Sequence, residues 1–371
     1  MAASSKIRVG IVGASASRGF ASIAHIPALR ALPQFEIAAV CTTRQDSAEA
    51  AARHYAVPLA FSDPEKLAQH PDIDLVTVSA KVPDHYRPVM AAIEAGKHVY
   101  CEWPLGRDTD EAIRMLEAAQ RRGIRHAVGL QGQMSPAVNY VKDLVAEGYV
   151  GRVLTATMIG CAPNWGAAID RAYQADRANG ATLMTITGGH QIDALCHCLG
   201  EFRELTAFAV SQRNQIPLEG TDEIVAKTAP DQLVVNGIVG GKNAEGAVVS
   251  FQIRGGMTRG TAFLFEVHGD RGDLVLTATS RASMQRQELT VRGAHGAATE
   301  LAELPIPATY RWVPDGLVTD SRYNVAQLYA HLADCIRDGK PARTGFDAAV
   351  TRHRLLDAIV RASETGRKQV L

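Results

Sequence analysis

No apolar run in this chain reaches the roughly 18 residues that a membrane-crossing helix needs, although 46% of its 371 residues are hydrophobic. No spanning segment is therefore expected. The opening Met1–Lys6 lacks the long apolar core of a secretory leader, which predicts a cytoplasmic location. An excess of one charge is also missing. Lys plus Arg number 39 and Asp plus Glu number 39, so no nucleic-acid or membrane surface is expected. Cysteine is sparse and scattered, at 41, 101, 161, 196, 198 and 335. Cys41 and Cys101 fall in buried-looking strands, which favours free thiols over disulfides. Cys196-His197-Cys198 is the tempting cluster for a metal. Alternate residues on a helix point to different faces, and no second pair has zinc spacing. No metal site is expected.

The length is more than one domain usually holds, so two domains are predicted. The first third alternates strand and helix. Strands are read at 8–13, 35–41, 75–79, 98–101 and 126–130, with helices between them. That order implies right-handed crossovers and a parallel, doubly wound sheet over residues 1–128. Beyond 150 the strands lengthen and alternate, at 153–160, 203–212, 232–239, 247–254 and 263–268. Such strands suit a large open, mainly antiparallel sheet with one face covered. Residues 189–199, 324–337 and 346–365 read as helices. Residues 129–371 are therefore expected to form an α/β domain for substrate and oligomerisation, closed by C-terminal helices.

The turn Gly13-Ala14-Ser15-Ala16-Ser17-Arg18-Gly19 joins the first strand to the next helix through Phe20. A dinucleotide site needs small residues there, because the backbone must approach a pyrophosphate and aim helix N–H groups at it. The usual G-x-G-x-x-G pattern fails, with Ser15 at the second Gly and one extra residue before Gly19. An ordinary strand–helix turn is the plain alternative. The second strand ends in Cys41-Thr42-Thr43-Arg44. No carboxylate stands there to hold a ribose or repel a 2′-phosphate, and Arg44 is suited to pair with one. NADP(H) is expected over NAD(H). The loop Ser79-Ala80-Lys81-Val82-Pro83-Asp84-His85 and the tripeptide Glu102-Trp103-Pro104 end the next strands, where such sheets hold ligands. Lys81 is a candidate for cofactor, substrate or proton transfer, with a solvated surface lysine as the plain alternative.

Together these motifs resemble the Gfo/Idh/MocA oxidoreductases, the family of glucose–fructose oxidoreductase and inositol dehydrogenase. The likeness also takes in Gly96-Lys97-His98-Val99, Ser135-Pro136, Gly188-Gly189-His190 with Asp193, and Gly339-Lys340-Pro341. It implies a Rossmann domain, a second domain with a large open sheet, and pairing into a dimer or tetramer through that sheet. Ser15, Arg18-Gly19-Phe20, His25-Ile26-Pro27-Ala28 and Glu102-Trp103-Pro104 are similar to the branch holding a fungal galactose-regulon repressor, a dinucleotide binder that works through protein partners.

The resemblance places proton transfer on a Lys, a His and often an Asp. His190 matches the His, whereas Trp103 stands at the Lys and Ile186 at the Asp. His190 has a near-neutral ordinary pKa and is the leading acid–base candidate, with Asp193 one turn on either to orient it or to cap locally. Trp103 is expected to stack on the nicotinamide or on a sugar face. Gln131, Gln133, Asn164, Trp165 and Tyr173 offer neutral hydrogen bonds and aromatic surface for a polyol, without the Arg cluster a polyanion would need. Two functions follow. One is an NAD(P)-dependent oxidoreductase acting on a sugar, cyclitol or related polyol. The other is a non-catalytic NAD(P)-binding regulator.

Overall fold

Short apolar runs closed by small residues build the first sheet, as expected for strands covered on both faces. The computed structural model describes residues 6–256, 259–278 and 283–371. The chain divides into two compact units, Met1–Gln131 with Trp312–His353 and Gly132–Arg311 with Arg354–Leu371.

The first unit holds β1 (Ile7–Val12), α1 (Ile26–Ala31), β2 (Phe35–Cys41), α2 (Gln45–Tyr55), β3 (Leu59–Phe61), α3 (Pro64–Gln69), β4 (Leu75–Val78), α4 (Tyr86–Glu94), β5 (His98–Cys101), α5 (Thr109–Arg122) and β6 (His126–Val128). Its six strands are parallel in the order β3-β2-β1-β4-β5-β6. This is the doubly wound dinucleotide-binding order, with the reversal between β1 and β4. Polar caps set the helix starts. Asp63 accepts from the Glu65 N–H and Asp108 from the Glu111 N–H, satisfying donors the helix leaves open. Gly123 ends α5 at φ +71°. At the start of α2, Arg44 is the extended capping residue, and no side chain caps the helix.

Residues 312–353 return to this unit, although sequence order places the C-terminal helices with the second domain. The helix Ser321–Asp338 brings the Tyr329 ring to 4.8 Å from Tyr100, 5.4 Å from Phe35 and 5.7 Å from His25. Burying that aromatic cluster offsets the cost of ordering the return.

The second unit contains α6 (Pro136–Glu147), β7 (Val153–Ala162), α7 (Gly189–Leu199), β8 (Glu201–Val210), β9 (Gln215–Pro217), β10 (Ile224–Ala226), β11 (Gln232–Gly240), β12 (Ala247–Gly255), β13 (Phe263–Gly269), β14 (Gly272–Ala278), β15 (Leu289–His295), β16 (Ala302–Glu303) and β17 (Gln369–Val370). Nine of these strands form one sheet, ordered β16-β15-β14-β13-β7-β12-β11-β8-β17. Among the described residues only the β7–β12 pair is parallel within it. Alternation sets its two faces. In β12, Val249, Phe251 and Ile253 are buried while Val248, Ser250 and Gln252 are exposed.

Candidate nucleotide and substrate sites

In the first unit the β1 turn is built by backbone demands. Gly13 sits at φ +92°, and a Cβ there would lie 2.6 Å from the Ser79 carbonyl oxygen. Only glycine lets this turn press against the end of β4. The Gly13 and Ala14 N–H groups donate to the Cys41 carbonyl at 2.9 and 3.4 Å, joining the ends of β1 and β2. The Tyr55 hydroxyl donates to the Ser15 carbonyl at 2.6 Å. A Cβ on Gly19, at φ +106°, would meet only the Gly13 carbonyl oxygen at an uncrowded 4.0 Å among the described residues, so its dihedral and not crowding requires glycine. After Phe20 the chain makes a π-helical turn, Ala21–His25, before α1. Such turns recur at functional sites.

Thr42 and Ser47 share a hydroxyl contact at 2.6 Å, and the exposed Arg44 guanidinium donates to Asp46 at 3.0 and 3.3 Å. Ser79 Oγ is buried with no hydrogen-bond partner among the described residues. Lys81 is exposed, beside Ala80. His85 is fastened at both ring nitrogens, Nδ1 2.9 Å from the Pro104 carbonyl and Nε2 3.1 Å from the Ala80 carbonyl. Burial pulls its pKa down, and a neutral ring, with one N–H, donates to one of these two carbonyls at a time. This expected cofactor contact is 1% exposed and serves the loops' geometry.

Glu102, Trp103 and Pro104 follow β5, with a cis bond between Trp103 and Pro104. The Gln131 amide donates to both Glu102 carboxylate oxygens, at 2.9 and 3.0 Å. The expected substrate contact Gln131 thus has its amide committed to a carboxylate. The Trp103 indole is 3% exposed and packs at 4.9 Å on the His353 ring. Little of its surface is open to a stacked ligand. Burial drives the His353 pKa down to about 4. His25 reaches Glu102 as well, at 3.1 Å. The sequence motifs mark His25 only as a family feature and give it no role. Its place beside the glycine turn was the available signal.

The unsatisfied Ser79 hydroxyl, the glycine cradle at Gly13 and the acid-free end of β2 fit a dinucleotide at the reversal of strand order. Among the described residues no group of three or more His, Cys, Asp or Glu side chains is placed to hold a metal, and no helix is long and apolar enough to cross a membrane.

In the second unit a second π-helical turn, Met184–Gly188, leads directly into α7. His190 is the second residue of α7 and is 5% exposed. The Gln133 amide donates to both Asp193 carboxylate oxygens at 3.1 Å, so this buried acid is held by Gln133. Asn139 donates to the Gln133 and Ser135 carbonyls and approaches His197 Nε2 at 3.2 Å. Gln191 lies over Gly160, where any Cβ would collide with its amide oxygen. Trp165 is 6% exposed, and Tyr173 is half-buried with its carbonyl accepting from Asn179 at 2.9 Å. The Asn164 side chain lies outside the described residues.

Comparison with known proteins places this architecture. Residues 7–130 match the model of the oxidoreductase family with an NAD-binding Rossmann fold, and residues 136–278 match the Gal80p C-terminal domain. The chain belongs to the Gfo/Idh/MocA oxidoreductase family. It is 30% identical to the dehydrogenase aclE of Aspergillus oryzae, over 98% of both chains. It is 29% identical to the galactose/lactose metabolism regulatory protein GAL80 of Saccharomyces cerevisiae, over 73% of this chain and 66% of that one. A levoglucosan dehydrogenase complexed with NADH and L-sorbose shares the fold, with a TM-score of 0.85 at 21% identity over 99% of both chains.

Proposed function

We propose that this protein is an NAD(P)-dependent oxidoreductase that transfers a hydride between a nicotinamide cofactor and a sugar, cyclitol or related polyol. The observation carrying the reading is His190, retained at the head of α7 directly after a π-helical turn. Bound, the cofactor would accept or donate the hydride. The residues of the β1 turn would hold its pyrophosphate, and Thr42, Thr43 and Arg44 its adenosine ribose. His190 takes or returns the hydroxyl proton, a step that needs a group titrating near neutral pH. Lys81 is the second candidate for that step. Arg44, exposed and without a carboxylate in the β2 end itself, supports a preference for NADP(H). Asp46 competes for it.

The second reading is a cofactor-binding regulator without turnover. It is favoured by Trp103, which replaces an ammonium with a buried ring, and by Ile186. A fluorescence titration with NADPH and NADH, combined with a polyol and keto-sugar panel followed at the reduced-nicotinamide band, separates the two. The oxidoreductase predicts turnover on a panel member, lost in His190→Ala. It also predicts that Arg44→Ala weakens NADPH several-fold more than NADH. Tight binding with no turnover across the panel favours the regulator, and binding of neither nucleotide sinks both readings.

A homo-oligomer through the second unit's sheet belongs to the same proposal. Phe208 (68% exposed) and Val248 (52% exposed) stand on its outer face with the half-buried Val234 and Ile238, an apolar patch suited to a second copy.

A further inference from the structure

His25 is fully buried and has no part in the hydride transfer proposed above. Its Nδ1 lies 2.8 Å from the Tyr329 hydroxyl, which lies 2.8 Å from Thr77 Oγ1. Its Nε2 lies 3.1 Å from Glu102 Oε1. That contact is at ion-pair distance but off the hydrogen-bond line, and Nε2 has no hydrogen-bond partner among the described residues. Glu102 accepts from one Gln131 amide at both oxygens, the pattern of an ionised carboxylate. The backbone closes on it at Gly129, where a Cβ would come within 2.7 Å of Oε1. Burial first, and then the Glu102 charge, push the Tyr100 hydroxyl well above its ordinary pKa. Tyr329 is raised in the same sense, burial leading. Both tyrosines therefore stay neutral around a fixed negative charge.

In this strand order a dinucleotide lies across the reversal, one half over β1 to β3 and the other over β4 to β6. The β1 turn takes the pyrophosphate. Arg44 marks the adenosine side, so the nicotinamide half falls on the β4 to β6 side. Glu102 is the first residue after β5. We infer that the Glu102 carboxylate, held by Gln131 and flanked by His25, selects the oxidised, cationic nicotinamide ring over the reduced, neutral one. The inference rests on the dinucleotide reading proposed above. The oxidised ring carries a positive charge and the reduced ring none, so a fixed anion favours one form. Tyr329 and Thr77 anchor the far side of the imidazole and Gln131 the far side of the carboxylate, which keeps the charge from swinging into water.

The test is calorimetric titration of the full chain with oxidised and reduced dinucleotide. For Glu102→Gln the affinity for the oxidised form should fall roughly tenfold relative to the reduced form, the scale of one nearby charge in a partly screened site. Gln131→Leu, which removes the donor at both carboxylate oxygens, should move the ratio in the same direction. Tyr329→Phe, which alters the far side of His25 and leaves Glu102 and Gln131 in place, should stay near wild type. An unchanged ratio in Glu102→Gln, or equal loss of both forms in every variant, overturns the inference. A shifted ratio without turnover on any polyol upholds it while rejecting the oxidoreductase reading. If wild type binds neither form, both fall.

Discussion

Gly13 shows how a single backbone position links sequence to ligand. A side chain there meets the Ser79 carbonyl at 2.6 Å, and its φ of +92° is one that L side chains rarely adopt. Gly13→Ala should cost about 2 kcal/mol or more in stability from strain and crowding. It should also weaken nucleotide binding at least tenfold, read from denaturant midpoints and titration. An unchanged midpoint would mean that the turn is more yielding than its geometry indicates. This residue was legible in sequence because a glycine that closes an apolar strand usually marks a backbone turn no side chain can enter. The roles of Gln131 and Gln133 were not legible. Both looked like donors for a polyol, yet each bonds a neighbouring carboxylate, Glu102 or Asp193. Amide side chains turn toward the strongest nearby acceptor, and that acceptor is chosen by folding. Trp103 follows the same logic: its position could be read, its packing on His353 could not.

Among the elements, the loop joining β10 to β11 buries an ion pair. Lys227 and Asp231 are almost fully buried and 3.0 Å apart. Lys227 also donates to Ser211 Oγ at 3.0 Å and to the Ala229 carbonyl at 2.5 Å. Burial alone would raise the Asp231 pKa, but the Gln212 N–H and Lys227 hold it below the ordinary carboxylate range. Removing Lys227 leaves the buried Asp231 carboxylate with the half-exposed Arg213 at 3.7 Å and loses its buried cationic partner. Lys227→Met should therefore destabilise the protein by roughly 3 kcal/mol or more, measured by urea unfolding. A Lys227→Met, Asp231→Leu double variant should recover part of that loss. The helices Gly189–Leu199 and Phe346–Thr365 were readable from periodicity. The three-residue β3, half-exposed throughout, was too short to leave a pattern. The two π-helical turns left no pattern either, because one widened turn hardly changes hydrophobic spacing.

For the whole molecule, stability should depend on pH through histidines that the fold buries. His126 accepts the Phe346 N–H at Nδ1, stacks on that ring and is held down to about 4 by burial. His353, against Trp103, is also held at about 4. Both folded values lie below the unfolded value of about 6.5, so the unfolded chain binds more protons between those limits. Their contribution is complete above about pH 6.5 and is lost as pH falls toward about 4. The two together set an upper limit of roughly 7 kcal/mol over that window. Chemical denaturation at about pH 7.5 and about pH 5 should show the loss, with a shallower slope in His353→Leu. An unchanged slope in that variant would place the linkage elsewhere.

By itself the sequence determined the alternation of parallel and antiparallel sheet, the two-part plan and the glycine turn, because periodicity and backbone strain are local. It also marked His190, Trp103 and Ile186 as the positions on which the proposed function turns, since a motif records which residue occupies a position. Only the tertiary structure decided that residues 312–353 rejoin the first unit, and that Tyr329, His25 and Glu102 form one buried cluster. Those contacts join residues up to 304 positions apart. No short-range pattern encodes them, because the partner of a buried polar group is set by which surfaces the collapsed chain brings together.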